Sequence, residues 1–183
     1  MSSPPATEAR YQAVFERHYE QVYAYFRRRT DAENARDCTA ETFVVAWRRV
    51  GDIPEGSELH WLYKVARNVL RNTYRAKRRS PLTFGEISDR PDRADSPETI
   101  VVRNAVAREV IEALQRLRRN DQEVLLLSVW EELPRDDVAA ILGCSTHAAS
   151  QRLHRASRRL AAELNSRRPH SARLTLRREE GSA

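Results

Sequence analysis

Across residues 145–162 the chain carries no acidic side chain, and its polar groups recur at helical spacing. His147, Gln151, His154 and Arg158 share one face, with Ser150, Arg152 and Arg155 on its flanks. Helical periodicity gathers Ala149, Leu153, Ala156 and Leu160 on the opposite side, which therefore turns inward. Small residues inside let a helix approach its scaffold closely. Cationic and amide groups outside match phosphates and base edges in a major groove about 12 Å wide. The chemistry on offer is the reading of duplex DNA.

A second segment, residues 61–79, separates charge and apolar surface in another way. Leu62, Val65, Ala66, Val69 and Ala76 form one face, while Lys64, Arg67, Arg71, Arg75 and Arg78 form the other without an acidic neighbour. Asn68 and Asn72 share the edge of the basic face, next to Trp61. Phosphates seek charge, unpaired bases seek stacking surfaces and amides read base edges, so this pattern suits single-stranded DNA. A helix lying on a membrane surface is the competing reading. The apolar face matches the two preceding helices better.

Bond-making chemistry finds no support. The chain lacks a glycine-rich phosphate loop, an HExxH pair and a nucleophile with a base beside it, and its histidines sit singly. His18 reads as a residue at the edge of a core. Cys38 and Cys144 are far apart with no CxxC or Cys/His spacing, which supports neither a disulfide nor a zinc site. No metal, cofactor or catalytic residue is expected. A net charge of +6 and a pI near 9.8 favour a polyanionic partner. A short N-terminus without an apolar run, and no long apolar stretch elsewhere, point to the cytoplasm and away from membrane insertion.

The elements that must position these groups are helices throughout, since hydrophobic residues recur at three- and four-residue steps and only five glycines interrupt them. An all-α chain without a sheet is expected. Residues 1–8 are small and polar and read as a disordered N-terminus. A first helix then carries the stripe Tyr11, Phe15, His18, Val22 and Phe26, with Arg27, Arg28 and Arg29 at its negative end. A second, over 34–50, presents Ala35, Cys38, Thr42, Phe43, Ala46, Trp47 and Val50 to it. Gly51 and Pro54 stop that helix, and Ser57 can cap the next, over 58–79.

Residues 80–97 hold three prolines and an acidic excess between two basic blocks, which marks a linker. It separates a domain of residues 9–79 from one of residues 98–165, and a basic flexible tail follows over 166–183. Helices over 98–117, 121–130, 135–142 and 146–164 are expected in the second domain. Pro134 suits a helix start, Gly143 a left-handed helix end and Ser145 a cap. The last two helices therefore read as a helix-turn-helix.

The combination resembles a known family, the extracytoplasmic-function sigma factors of the sigma-70 type. FERHYEQVYAYFRRR, NARDCTAETFVVAWRR and WLYKVARNVLRNTYRAKRR resemble sigma region 2. LQRLRRNDQEVLLLSVWEELPRDDVAAILGCSTHAASQRLHRASRRL resembles region 4. The resemblance covers residues 11–79 and about 111–164. It implies a subunit that binds core RNA polymerase through the β′ clamp helices and the β subunit and directs it to promoter DNA, both double- and single-stranded.

On this resemblance Asp37, Ala40 and Glu41 face the clamp helices. Trp61, Lys64, Arg67, Asn68, Arg71, Asn72 and Arg75 serve the melted −10 element. His147, Ser150, Gln151, Arg152, His154, Arg155 and Arg158 serve the −35 element. The acidic linker would thread the polymerase cleft, and an anti-sigma factor is a common further partner of such proteins. The chain departs from the family's preferences at Ala40 (glutamine), at Ser150 (often lysine or arginine) and at Arg118 (usually proline). An autonomous helix-turn-helix repressor or activator is the alternative.

Overall fold

The chain in the computed structural model is described over residues 4–76 and 97–167, and among these residues it is helical with no strand. The order is α1 (Pro4–Arg27), α2 (Ala32–Arg48), a 3₁₀ turn (Val50–Asp52), α3 (Glu58–Ala76), α4 (Pro97–Arg116), α5 (Arg119–Leu125), a π-helical turn (Leu126–Trp130), α6 (Arg135–Leu142) and α7 (Thr146–Arg167). Helix α1 begins within the stretch read as a disordered N-terminus. Pro4 and Pro5 suit a first turn, where a missing N–H costs nothing and φ is already near the helical value. The linker of 80–97, except Pro97, the cations Arg78 and Arg79, and the tail beyond residue 167 lie outside the described residues.

Two compact units divide the described residues, one of residues 4–76 with 134–146 and one of residues 97–133 with 147–167. In the first, α1, α2 and α3 pack pairwise. The buried side chains of α1 are Val14, His18, Val22, Tyr25 and Phe26, so the true stripe runs beside the expected one and leaves Tyr11 and Phe15 half-buried. Tyr25 sits at the centre, edge-on to Phe26 at 5.3 Å and stacked on Tyr63 of α3 at 5.2 Å between ring centroids. Burial of each apolar side chain of this size contributes roughly 1.5–3 kcal/mol. Thr39 and Thr42 are buried because each hydroxyl donates to a carbonyl one turn back, Ala35 O at 2.7 Å and Cys38 O at 2.8 Å.

Helix α2 starts at Ala32 because the Asp31 carboxylate accepts the Asn34 N–H at 2.9 Å. Its end does not bury Trp47 as the periodicity predicts. That indole stays 48% exposed, lying edge-on to Tyr11 at 5.0 Å. Arg29 leaves the row of exposed cations. It is buried, its guanidinium lies 3.6 Å from the centre of the Tyr25 ring, and Nη1 donates to Tyr25 O. The Tyr74 hydroxyl in turn donates to Arg29 O at 2.6 Å, tying the end of α3 to the end of α1.

Helix α6 lies against α3 within this first unit. Its bounds are fixed by chain chemistry, with Pro134 at φ −55° before it and Gly143 at φ +68° closing it, a conformation that glycine enters freely. Cys144 N–H then donates to Ala139 O, and Thr146 Oγ1 donates to Asp136 Oδ1 at 2.6 Å.

The second unit is built on Ala113, Leu114, Leu117, Val124, Leu125, Leu126, Leu127 and Leu133. Gln122 is buried at the corner between α4 and α5, where its amide donates to Leu114 O, Gln115 O and Leu117 O at 3.0, 3.2 and 2.8 Å. These carbonyls lie in the last turn of α4 and just beyond it, where the supply of helical N–H partners runs out. Arg118, where the resemblance in sequence led to the expectation of proline, adopts φ −64° and ψ 146°, which are proline's own angles. The helix expected over 121–130 is α5 continued by the π-helical turn, closed by the bond from Glu131 N–H to Leu126 O.

Candidate nucleic-acid interface

Helix α3 buries Leu62, Tyr63, Ala66, Val69 and Leu70 and half-buries Val65. Ser57 O accepts its first backbone bond, from Trp61 N–H at 3.1 Å. The Glu58 carboxyl in its first turn is held below the usual carboxylate range by the N–H groups of Glu58 and Gly56, with His18 and Arg17 adding smaller contributions. This anchoring fixes the outward face, and the helical repeat then orders that face from one edge to the other as Arg67, His60, Arg71, Lys64, Arg75, Asn68, Trp61 and Asn72. Cations therefore gather toward one edge while two amides and an indole gather toward the other. Such a gradient lets a strand lay its phosphates on one side and its bases on the other.

Lys64, Asn68, Arg71, Asn72 and Arg75 are exposed, and Trp61 and Arg67 are half-buried. The Arg49 guanidinium lies 5.8 Å from the centre of the Trp61 ring. At the cationic edge α6 is already engaged. Arg67 Nη1 donates to Ile141 O at 3.4 Å, and His60 Nδ1 stands 3.4 Å from Asp137 Oδ1. The sequence carried no signal for this pairing, because it joins residues more than seventy positions apart.

Helix α7 turns Ala149 and Ala156 inward, leaves Leu153 and Leu160 half-buried, and exposes His147, Gln151, Arg152, His154, Arg155 and Arg158. Ser150 is half-buried on the flank. Arg159, which sequence reasoning passed over, forms an ion pair with the nearly buried Asp121 of α5 and so fixes α7 within the second unit. On the outer face Gln151 Nε2 lies 2.8 Å from His147 Nε2.

Asp37, Ala40 and Glu41 are exposed together on α2. Val44 and Trp47 share their face and are 46% and 48% exposed, so an apolar centre sits beside two carboxylates. That composition fits a protein partner better than a polyanion. Among the described residues there is no cluster of side chains that could hold a metal ion, and no helix is long and apolar enough to cross a membrane.

Residues 14–80 match the family described as Sigma-70 region 2, and residues 107–160 match Sigma-70, region 4. The chain is similar to RNA polymerase sigma factor YlaC of Bacillus subtilis (strain 168), with 31% identity over 149 residues covering 78% of this chain and 85% of that protein. It is also similar to ECF RNA polymerase sigma factor BldN of Streptomyces coelicolor, with 30% identity over 152 residues covering 81% of this chain and 58% of that one. Its fold resembles that of the sigma factor RpoE in complex with the anti-sigma factor NepR from Bartonella quintana. There the TM-score is 0.61 at 21% identity, covering 86% of this chain and 98% of that one.

Proposed function

This chain belongs to the sigma-70 family of RNA polymerase sigma factors, of the extracytoplasmic-function type, and on that premise we propose how its residues divide the work of promoter recognition. Residues 9–79 act as region 2, binding core polymerase and the −10 element. Residues 98–165 act as region 4, binding the −35 element. Residues 80–97 link the two. On α2 the face of Asp37, Ala40 and Glu41, extended by Val44 and Trp47, docks on the β′ clamp helices. On α7, His147, Ser150, Gln151, Arg152, His154, Arg155 and Arg158 meet the −35 duplex. The protein supplies specificity to a catalyst and is not one itself. It works in the cytoplasm, where an anti-sigma factor can hold it in reserve.

One observation carries the −10 assignment, and it is the graded face of α3. Lys64, Arg67, Arg71 and Arg75 lie on its cationic side, while Asn68, Trp61 and Asn72 lie on the other. A strand placed along that face meets charge at its backbone and amides and an aromatic ring at its bases. A duplex-only regulator has no use for the second half of this arrangement.

The test is reconstitution. The purified chain should capture core polymerase subunits and confer initiation at a defined start site, while binding promoter duplex weakly by itself. Tight, salt-resistant footprints by the chain alone, with no transcription when core is added, would instead identify an autonomous regulator.

A further inference from the structure

His147 and Gln151 stand one turn apart on the exposed face of α7, with their Nε2 atoms 2.8 Å apart. An amide nitrogen has two hydrogens and no lone pair to offer, so the glutamine donates and the imidazole Nε2 accepts, which places the ring proton on Nδ1. One amide hydrogen is thereby spent. The hydrogen trans to the carbonyl oxygen can make this bond, which leaves the oxygen and the cis hydrogen to form an edge with one acceptor beside one donor.

In the major groove adenine presents the complement of that edge, an N6 amino donor beside the N7 acceptor. Guanine presents two acceptors, and cytosine and thymine each present a single polar group. From this geometry we propose that Gln151 reads adenine at one position of the −35 element and that His147 is the positioning residue that presets its amide. The inference rests on the proposed role of α7. A free glutamine side chain loses rotamer freedom on docking, and a partner one turn away removes part of that loss before DNA arrives. The pair lies on the outer face, clear of the Arg159–Asp121 link that holds the helix. Its contribution is therefore separable from folding.

The experiment uses holoenzyme assembled from core polymerase and the full chain, selecting from promoter duplexes randomised across the −35 hexamer. The wild type should show one position with about tenfold or greater preference for adenine. Gln151→Ala should flatten that position and no other. His147→Ala should lower the same preference several-fold, and His147→Gln, whose amide oxygen can accept the same hydrogen, should restore it. In the Gln151→Ala background His147→Ala should change nothing further. Replacing the preferred adenine with 7-deazaadenine should weaken the wild type and leave Gln151→Ala unaffected.

Three results would overturn the inference alone: an unchanged profile in Gln151→Ala, a uniform loss across all positions in His147→Ala, or a preference for guanine at the affected position. A wild-type holoenzyme without any −35 preference would overturn the role of α7 and the inference with it.

Discussion

Replacing Gln122 with leucine should loosen the second unit from within while leaving the first untouched. The side chain is 6% exposed, and its amide serves three carbonyls at the α4–α5 corner. Two amide hydrogens shared among three acceptors count as about two net hydrogen bonds, together ~1–3 kcal/mol, and carbonyls left buried without a donor add to that. Leu114 O keeps the bond from Leu117 N–H at 3.1 Å, which limits the addition. The expected loss is therefore about 2–4 kcal/mol. Hydrogen exchange on the full chain reads it locally. Amides of residues 122–127 should lose protection by a factor of roughly 30 to 1,000, with those of residues 62–70 in α3 serving as the internal control. Because neighbouring Asp121 holds Arg159 of α7, the same variant should also bind −35 duplex more weakly in holoenzyme. A change below threefold in residues 122–127, or an equal loss in α3, would refute the reasoning.

Two further outcomes are expected. Substituting both Arg71 and Arg75 with alanine should lower the slope of log affinity against log salt by about 1.4 for a single-stranded −10 probe bound by holoenzyme, and fluorescence titration across salt concentrations measures it. Asn68→Ala should impair strand opening more than initial duplex binding, and it should appear as reduced permanganate reactivity of −10 thymines at unchanged closed-complex affinity.

The helices were legible because their signals are local. Pro134 and Gly143 are strong punctuation, and α6 spans the expected residues. The outward set of α7 follows from a period that small residues make unambiguous. What periodicity missed lies between elements or inside the backbone. The Tyr25–Tyr63 stack and the burial of Arg29 come from how α1 meets α3, and no spacing within α1 announces them. Trp47 fits the core pattern but sits at the rim, half exposed and in a T-shaped contact with Tyr11 of α1. The π-helical turn is invisible because residues 121–130 keep an ordinary helical pattern while the backbone bonding slips to the fifth residue back, as from Glu131 N–H to Leu126 O.

Net charge was the bluntest of the early signals, and the structure refines it most. A +6 excess says that a polyanion is welcome but not which cations meet it. Several arginines are engaged by other groups of the chain, some buried and some at its surface. Arg10 donates to Ile53 O, Arg29 is buried on Tyr25, Arg49 pairs with Asp52, Arg67 donates to Ile141 O and Arg159 pairs with Asp121. On the two reading helices, Lys64, Arg71 and Arg75 and then Arg152, Arg155 and Arg158 are exposed with no ion-pair partner among the described residues. Three contacts to single-stranded phosphates and three to duplex phosphates set a salt slope of about 5 for these helices together. A slope well above that in the chain's contribution to promoter binding would assign phosphate contacts to the basic residues at 77–79 and 168–183. A slope near it would mean that two helical faces account for the affinity, and that the remaining arginines hold those faces in place.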